Sequence, residues 1–266
     1  SHVMVKKTLS SIYVALILIF MYAPIGVLIV LSFNNSKSRV VWGGFTMKWY
    51  GRMFQSASIM SAFGTTMAIT LLSALIATVI GLMASLGIDA MRKKQYQMMM
   101  FFTNIPLVNA DIVTGIALML WFIRFMDLGF SSVLIAHVTF NIPYVILCIL
   151  PKLSQMDASL YEAARDLGAN PLTAFFKIVL PGIMPGVLAG FFMAITMSMD
   201  DFVITYFTKG AGVNTLSTMI YGEIRKGIKP EMYALSTVLF FMILGLLVLM
   251  KIAQGYGEKK DKKTDY

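Results

Sequence analysis

Long apolar runs almost free of formal charge, separated by short polar stretches, set the pattern of this chain. The 29 residues between Lys7 and Lys37 carry no charged side chain, and neither do the 36 between Arg52 and Asp89. A helix needs about 20 mostly apolar residues to cross the hydrocarbon core of a bilayer. The pattern therefore predicts an all-α membrane protein of one domain, 1–266, with six spans at about 12–31, 64–86, 96–125, 130–150, 182–199 and 233–250. Asn104, Pro106, Asn109 and Asp111 interrupt the third span, His137, Asn141 and Pro143 sit in the fourth, and glycine is frequent in the fifth. A β-barrel is excluded, because these are long apolar runs rather than alternating segments of about ten residues. The first run follows Lys6-Lys7 and could pass for a signal peptide, but it is too long for one and lacks a small-x-small cleavage site. It reads as an uncleaved span. Ser1–Val3, ahead of Met4, read as an addition and carry no weight in the fold.

Six spans put both ends on one side. Lys and Arg choose that side. Placing the ends and the even-numbered connections inside puts 13 of the 22 basic residues there: Lys6, Lys7, Arg92, Lys93, Lys94, Lys152, Arg165, Lys177, Lys251, Lys259, Lys260, Lys262 and Lys263. Both termini are thus expected to be cytoplasmic. No internal repeat is visible.

Between the fourth and fifth spans the pattern changes. Residues 157–181 read DASLYEAARDLGANPLTAFFKIVLP. Asp157 is a good N-cap, and Leu160, Ala163, Ala164 and Leu167 then recur at helical spacing. Gly168 is placed to take a positive φ and end that helix. Asn170 is a second N-cap with Pro171 at the first helical position. Leu172, Phe175, Phe176 and Val179 form the expected stripe of a second short helix, and Leu180-Pro181 is expected to break the chain before the fifth span. Two short helices joined by a tight turn would lie at the inner surface, where an interfacial pair resting among lipid headgroups is the plainer alternative.

Composition removes whole classes. The chain is 58% hydrophobic and 13% charged, against about 25% charged residues in an ordinary soluble domain, and its mean hydropathy is +0.77. A soluble enzyme, a nucleic-acid-binding domain and a disordered protein are excluded. The net charge of +9 sits in short clusters between apolar runs, the form of a positive-inside bias rather than a nucleic-acid footprint. Cys148 is the only cysteine, so no intrachain disulfide forms and no zinc or redox motif exists. No catalytic residue or metal ligand set is identified. The phosphate-binding pattern G-x-x-x-x-G-K-[ST] is absent, so ATP chemistry, if used, comes from elsewhere.

The spacing Glu162-Ala163-Ala164, three residues, Gly168, nine residues, Ile178-x-Leu180-Pro181 resembles the EAA loop of ABC importer permeases. The sequence resembles the binding-protein-dependent transport permease family. That resemblance implies a type I importer fold in a bacterial cytoplasmic membrane, with residues 157–181 docking into a groove on a separate ATPase subunit. Ala163 and Ala164 would allow close approach, Gly168 the turn, and Glu162 would fix the hairpin by hydrogen bonds or an ion pair, with Arg165 one turn away. The implied partners are a second permease subunit forming a heterodimer, an ATPase homodimer that holds the ATP and Mg, an extracytoplasmic substrate-binding protein and membrane lipid. This chain would bind no cofactor, metal or nucleic acid.

Ionisable residues at membrane depth are expensive and mark candidate pathways. Asp111, in the broken third span, must face a cavity or a partner, unless it lies at the outer end of the span or caps a half-helix. Asp200-Asp201 follow the fifth span; successive helical positions point about 100° apart, so one could face a pathway while the other meets a neighbour, or both could simply end the helix. Trp49, Tyr50, Met53 and Phe54 recur as an amphipathic segment, with Trp49 or Tyr50 at a pathway rim or against the binding protein, and Trp42 reads as a belt anchor. His137 and Asn141, one turn apart, read as an interhelical hydrogen-bonding pair.

Carboxylates on a pathway suit a cationic cargo. Phe45-Thr46-x-Lys48-Trp49-Tyr50, Asp111-Ile112-Val113, Tyr161 to Ala169 and Ser198-Met199-Asp200-Asp201 are similar to the C-type permease subunits of spermidine/putrescine importers, over most of the chain. Two alternatives stand beside that expectation. One is an ABC permease for another small solute. The other is an ion-coupled secondary transporter, which a broken helix carrying Asp111 would suit but which has no use for an EAA loop.

Overall fold

The computed structural model describes the backbone of residues 2–264 and the side chains of 7–253 and 255. Ser1, Asp265 and Tyr266 lie outside the described residues, as do the side chains of Lys6, Lys259, Lys260, Lys262 and Lys263, on which part of the inside count rests.

Twelve helices are described, in the order α1 (His2–Ser32), α2 (Lys48–Gln55), α3 (Ala57–Asp89), α4 (Lys93–Val108), α5 (Asp111–Phe122), α6 (Phe130–Gln155), α7 (Ala158–Asp166), α8 (Pro171–Ala174), α9 (Leu180–Met199), α10 (Val203–Thr208), α11 (Leu216–Lys226) and α12 (Pro230–Thr264). Five are long and apolar enough to span a bilayer: α1, α3, α6, the continuous helix Pro171–Met199 and α12. On α1, Leu16 and Phe20 are 60% and 83% exposed, an arrangement that lipid as solvent makes cheap and water would not.

The expected third span, 96–125, is not one straight crossing. α4 and α5 meet at 101° across Asn109 and Ala110, both in extended conformation. Pro106 and Asn104 lie inside α4, so the proline does not itself make the corner. Asn109 ties it, its Nδ2 donating to Thr114 Oγ1 at 2.9 Å. Asp111 opens α5, where a carboxylate complements the free N–H groups of a helix start.

The chain forms two compact units. One comprises the residues up to Met60 with Ile220–Phe241. Within it, buried Asn34 organises the 36–43 loop: its Oδ1 accepts from the Ser36 and Gly43 backbones and its Nδ2 donates to the carbonyls of Ser38 and Val41. The other comprises Ser61–Met219 with the residues from Met242 onward. Here α6 and α9 pack along their lengths, burying Val145, Ile149, Ile183, Ala189 and Ala194. Gly186 sits at the closest approach: a Cβ there would lie 2.8 Å from the Cys148 carbonyl oxygen. Gly186→Val is expected to lower stability by about 1–3 kcal/mol, the usual cost of overpacking. Gly245, where a Cβ would meet nothing within 4 Å, is expected to accept valine. Thermal unfolding of the purified complex in detergent checks both; equal midpoints for the two variants would refute the close packing.

Candidate functional site

Two features stand at opposite ends of α9, which rises about 30 Å over its 20 residues at 1.5 Å each. One is the helical hairpin before it, the other a cavity at its C-terminal end.

The hairpin is built by local chemistry. Asp157 Oδ1 accepts from the Ser159 N–H at 2.9 Å and caps α7, and that bond holds its carboxyl below the usual carboxylate range. At the other end, the Gly168 N–H donates to Arg165 O and the Ala169 N–H to Ala164 O, the paired bonds of a Schellman motif. Gly168 has φ +87°, which only glycine adopts cheaply. Asn170 Oδ1 accepts from Thr173 N at 2.7 Å, with Pro171 next. The hairpin offers its apolar side chains outward: Leu160, Leu167, Leu172 and Phe176 are 54%, 90%, 69% and 60% exposed. Glu162 and Ala163 are exposed and Ala164 is half-buried.

Three expectations are corrected here. The stripe Leu172–Phe175–Phe176–Val179 is not a single face, because Val179 is buried while Leu172 and Phe176 are exposed. The chain does not break at Leu180-Pro181. Phe175–Val179 forms a π turn that carries α8 into α9 without interruption. Pro181 has no N–H and its ring crowds the carbonyl four residues back, and the wider turn just before it relieves both conflicts. Ile178 and Leu180 are half-buried and Pro181 exposed along this continuous helix. Finally, Glu162 is not the residue that pins the hairpin: Arg165 Nη1 donates to the Ala169 carbonyl at 2.7 Å across the turn.

The cavity, about 620 Å³, is lined by the α4–α5 corner, the middle of α6 and the segment joining α9 to α10. It gathers Asp111, Asp200 and Asp201, residues drawn from positions 90 apart in sequence, and no Lys or Arg lines it. Phe140, Tyr144 and Phe202 form aromatic wall and Asn109, Thr114 and Thr139 add neutral polar atoms. Below them Phe122, Ala136 and Ile204 pack α5, α6 and α10 together. Asp200 and Asp201 are not successive positions of a helix. α9 ends at Met199, Asp200 is its C-cap, and Asp201 precedes α10. Asp200 and Asp111 are exposed to the cavity. Asp201 is held: its Oδ2 accepts from the Thr205 N–H at 2.8 Å and the Thr205 hydroxyl at 2.7 Å.

His137 and Asn141, both buried, reach different helices: His137 Nε2 lies 2.7 Å from Thr205 Oγ1, and Asn141 Nδ2 donates to Ser198 Oγ at 2.7 Å. Thr205, Tyr144 and Phe140 were invisible to sequence reasoning, and Ser198 entered it only as part of the Ser198-Met199-Asp200-Asp201 patch. Only Thr205 left a trace, four residues after Asp201 at a helix start.

Trp49 is corrected as a rim residue. It is 1% exposed, its Nε1 donates to the Asn34 carbonyl at 2.7 Å, and Lys48 and Arg52 already lie 4.5 and 5.1 Å from its ring centre. The amphipathic pattern of α2 was real, but its Trp49–Met53 side is the buried one. Tyr50 is half-buried, hydrogen-bonded to Ser32 Oγ at 2.7 Å and stacked on Phe33. Both residues are engaged within their own unit.

Residues 77–262 match the family model described as "Binding-protein-dependent transport system inner membrane component". The chain is 37% identical over 245 residues to the putrescine transport system permease protein PotI of Escherichia coli (strain K12), covering 89% of this chain and 86% of that protein. It is 33% identical over 250 residues to the spermidine/putrescine transport system permease protein PotC of the same strain, covering 94% and 95%. Among solved structures, a chain of a bacterial ABC transporter involved in import of the acidic polysaccharide alginate shares the fold with a TM-score of 0.64, 17% identity and coverage of 96% and 95%.

Proposed function

The chain belongs to the family of binding-protein-dependent transport system inner membrane components, and from that premise we propose that it is one permease subunit of an ATP-driven polyamine importer. It is a multi-pass membrane protein and a non-catalytic subunit. In this reading it pairs with a second permease in a bacterial inner membrane with both termini cytoplasmic. An extracytoplasmic binding protein delivers spermidine or putrescine, and an ATPase homodimer, holding ATP and Mg, docks on the α7–α8 hairpin and the start of the helix that follows it, through Glu162, Ala163, Ala164, Gly168, Ile178, Leu180 and Pro181.

The observation that carries the cargo is the composition of the cavity: three carboxylates, aromatic wall and no basic residue. A polyamine is a chain of methylenes between ammonium groups. Each ammonium within about 4 Å of a carboxylate gains roughly 1–4 kcal/mol, and aromatic faces add cation–π attraction. An anionic cargo would meet repulsion from Asp111 on one side and Asp200 and Asp201 on the other, with no basic residue to offset it. The relatives named as putrescine and spermidine/putrescine permeases support the same cargo. The exposed apolar hairpin supports the docking role, because Leu160, Leu167 and Phe176 need cover.

Co-expression tests the reading. Cells carrying this chain with its second permease, ATPase and binding protein should accumulate labelled spermidine or putrescine in an ATP-dependent manner. The chain alone should accumulate none. ATP-independent uptake by the chain alone would overturn the importer reading, and an intact complex that ignores both polyamines would overturn the cargo.

A further inference from the structure

The two neighbouring carboxylates at the end of α9 are not treated alike by the structure. Asp200 is exposed to the cavity, while Asp201 has its Oδ2 occupied twice by Thr205 and lies 3.6 Å from His137 Nε2. The direction of these bonds follows from proton counting. A carboxylate has no proton to give, so the Thr205 hydroxyl donates to Asp201. Having spent its one hydrogen, Thr205 Oγ1 can only accept from His137, which fixes the histidine as the tautomer with hydrogen on Nε2. His137 Nδ1 is buried and without a hydrogen-bond partner, which suits a bare lone pair better than an N–H, since orphaned buried donors are the rarer kind. His137 is itself 1% exposed and rests against Phe140, ring centres 5.0 Å apart. The chain His137 → Thr205 → Asp201 is therefore directed and anchored in a buried helix. Ser217 Oγ adds a bond to the Asp201 carbonyl at 2.6 Å.

We propose that His137 and Thr205 are positioning residues that withhold Asp201 from the cargo, leaving Asp200 and Asp111 as the charges the cargo meets. The reason is kinetic. A pathway site must bind strongly enough to be entered and weakly enough to be left. Two adjacent carboxylates closing on one ammonium would hold it too long. With its side chain only 10% exposed and its Oδ2 engaged by a hydroxyl and a backbone N–H, Asp201 keeps its negative field in the cavity but offers the cargo little direct contact. This inference rests on the polyamine reading of the cavity.

The test separates withholding from mere structural damage by its sign. Thr205→Val removes the hydroxyl donor with little change in shape. It should tighten binding of labelled spermidine to the purified permease–ATPase complex, measured without binding protein, by about tenfold, the order expected for one added charge contact. Uptake in cells should fall about fivefold or more, because release slows. His137→Leu should act in the same direction. Thr205→Ser and His137→Gln, which keep a donor at similar reach, should stay close to wild type. Asp201→Asn added to Thr205→Val should return binding to the wild-type range, since the loosened group, which keeps only the residue-205 N–H of its two bonds from that residue, no longer carries charge. Unchanged or weakened binding in Thr205→Val, or tight binding that survives Asp201→Asn, overturns the inference. A wild-type complex that neither binds nor imports polyamines overturns the cargo reading and this inference together; one that does both, with Thr205→Val unchanged, overturns this inference alone.

Discussion

Uptake of labelled spermidine and putrescine falls about tenfold or more when Asp200 or Asp111 becomes asparagine, the change expected from losing one carboxylate contact worth roughly 1–4 kcal/mol. The amide keeps the shape and removes the charge. Both residues are exposed to the same cavity, and neither belongs to the packed core of α6 and α9, so assembly with the ATPase should be unaffected. Uptake is measured in cells at matched membrane levels, with complex recovery measured alongside. Wild-type uptake in both variants would remove the electrostatic basis for a cationic cargo. Loss of uptake together with loss of the complex would assign these residues to structure.

The second large effect lies at the other end of α9. In Gly168→Val, substrate-stimulated ATP hydrolysis by the complex should drop to the unstimulated rate while membrane insertion is normal. A Cβ at Gly168 meets nothing within 4 Å, so the damage is conformational: φ +87° costs a residue with a side chain about 1–2 kcal/mol, and a β-branched one more. α7 has nine residues and no buried side chain, so little else holds its end in place. Asparagine tolerates this backbone region better, and Gly168→Asn should recover part of the stimulation. Glu162→Lys should also abolish stimulation, for a different reason. Glu162 is exposed and Arg165 holds the turn, so reversing its charge alters the docking surface and not the hairpin. Normal stimulation in Gly168→Val and Glu162→Lys would mean that the ATPase docks elsewhere.

The caps and the turn of the hairpin were legible because their determinants are local, while its apolar stripe, the continuity through Pro181 and the Arg165 bond across the turn were not. Asp157, Gly168, Asn170 and Pro171 act on groups within three or four residues of themselves, and a sequence states such relations directly. The spans were legible for a related reason: burying uninterrupted backbone in lipid leaves a long helix as the only economical solution for an apolar run. The third span shows where that logic stops. Composition placed polar breaks near Asn109 but could not distinguish a kinked crossing from a 101° corner, because the same polar residues suit both.

The remaining decisions needed partners that the pattern did not single out, from four residues away, as Thr205 is from Asp201, to 64, as His137 is. The amphipathic pattern of α2 announced two sides without saying which was buried. The Asn34 carbonyl, 15 residues earlier, settled that by accepting from Trp49. The sequence named Asp111, Asp200 and Asp201 as expensive charges, since the energy of an ion in an apolar run follows from residue type alone. It could not gather them into one cavity or tell the two neighbours apart. That distinction belongs to Thr205 and, 64 positions before Asp201, to His137. What the chain determined by itself was the class, the spans, the caps and the Gly168 turn, whose energies are set by residue type and near neighbours. Which face is buried and which carboxylate is free depended on donors and acceptors that only folding brings within 3 Å.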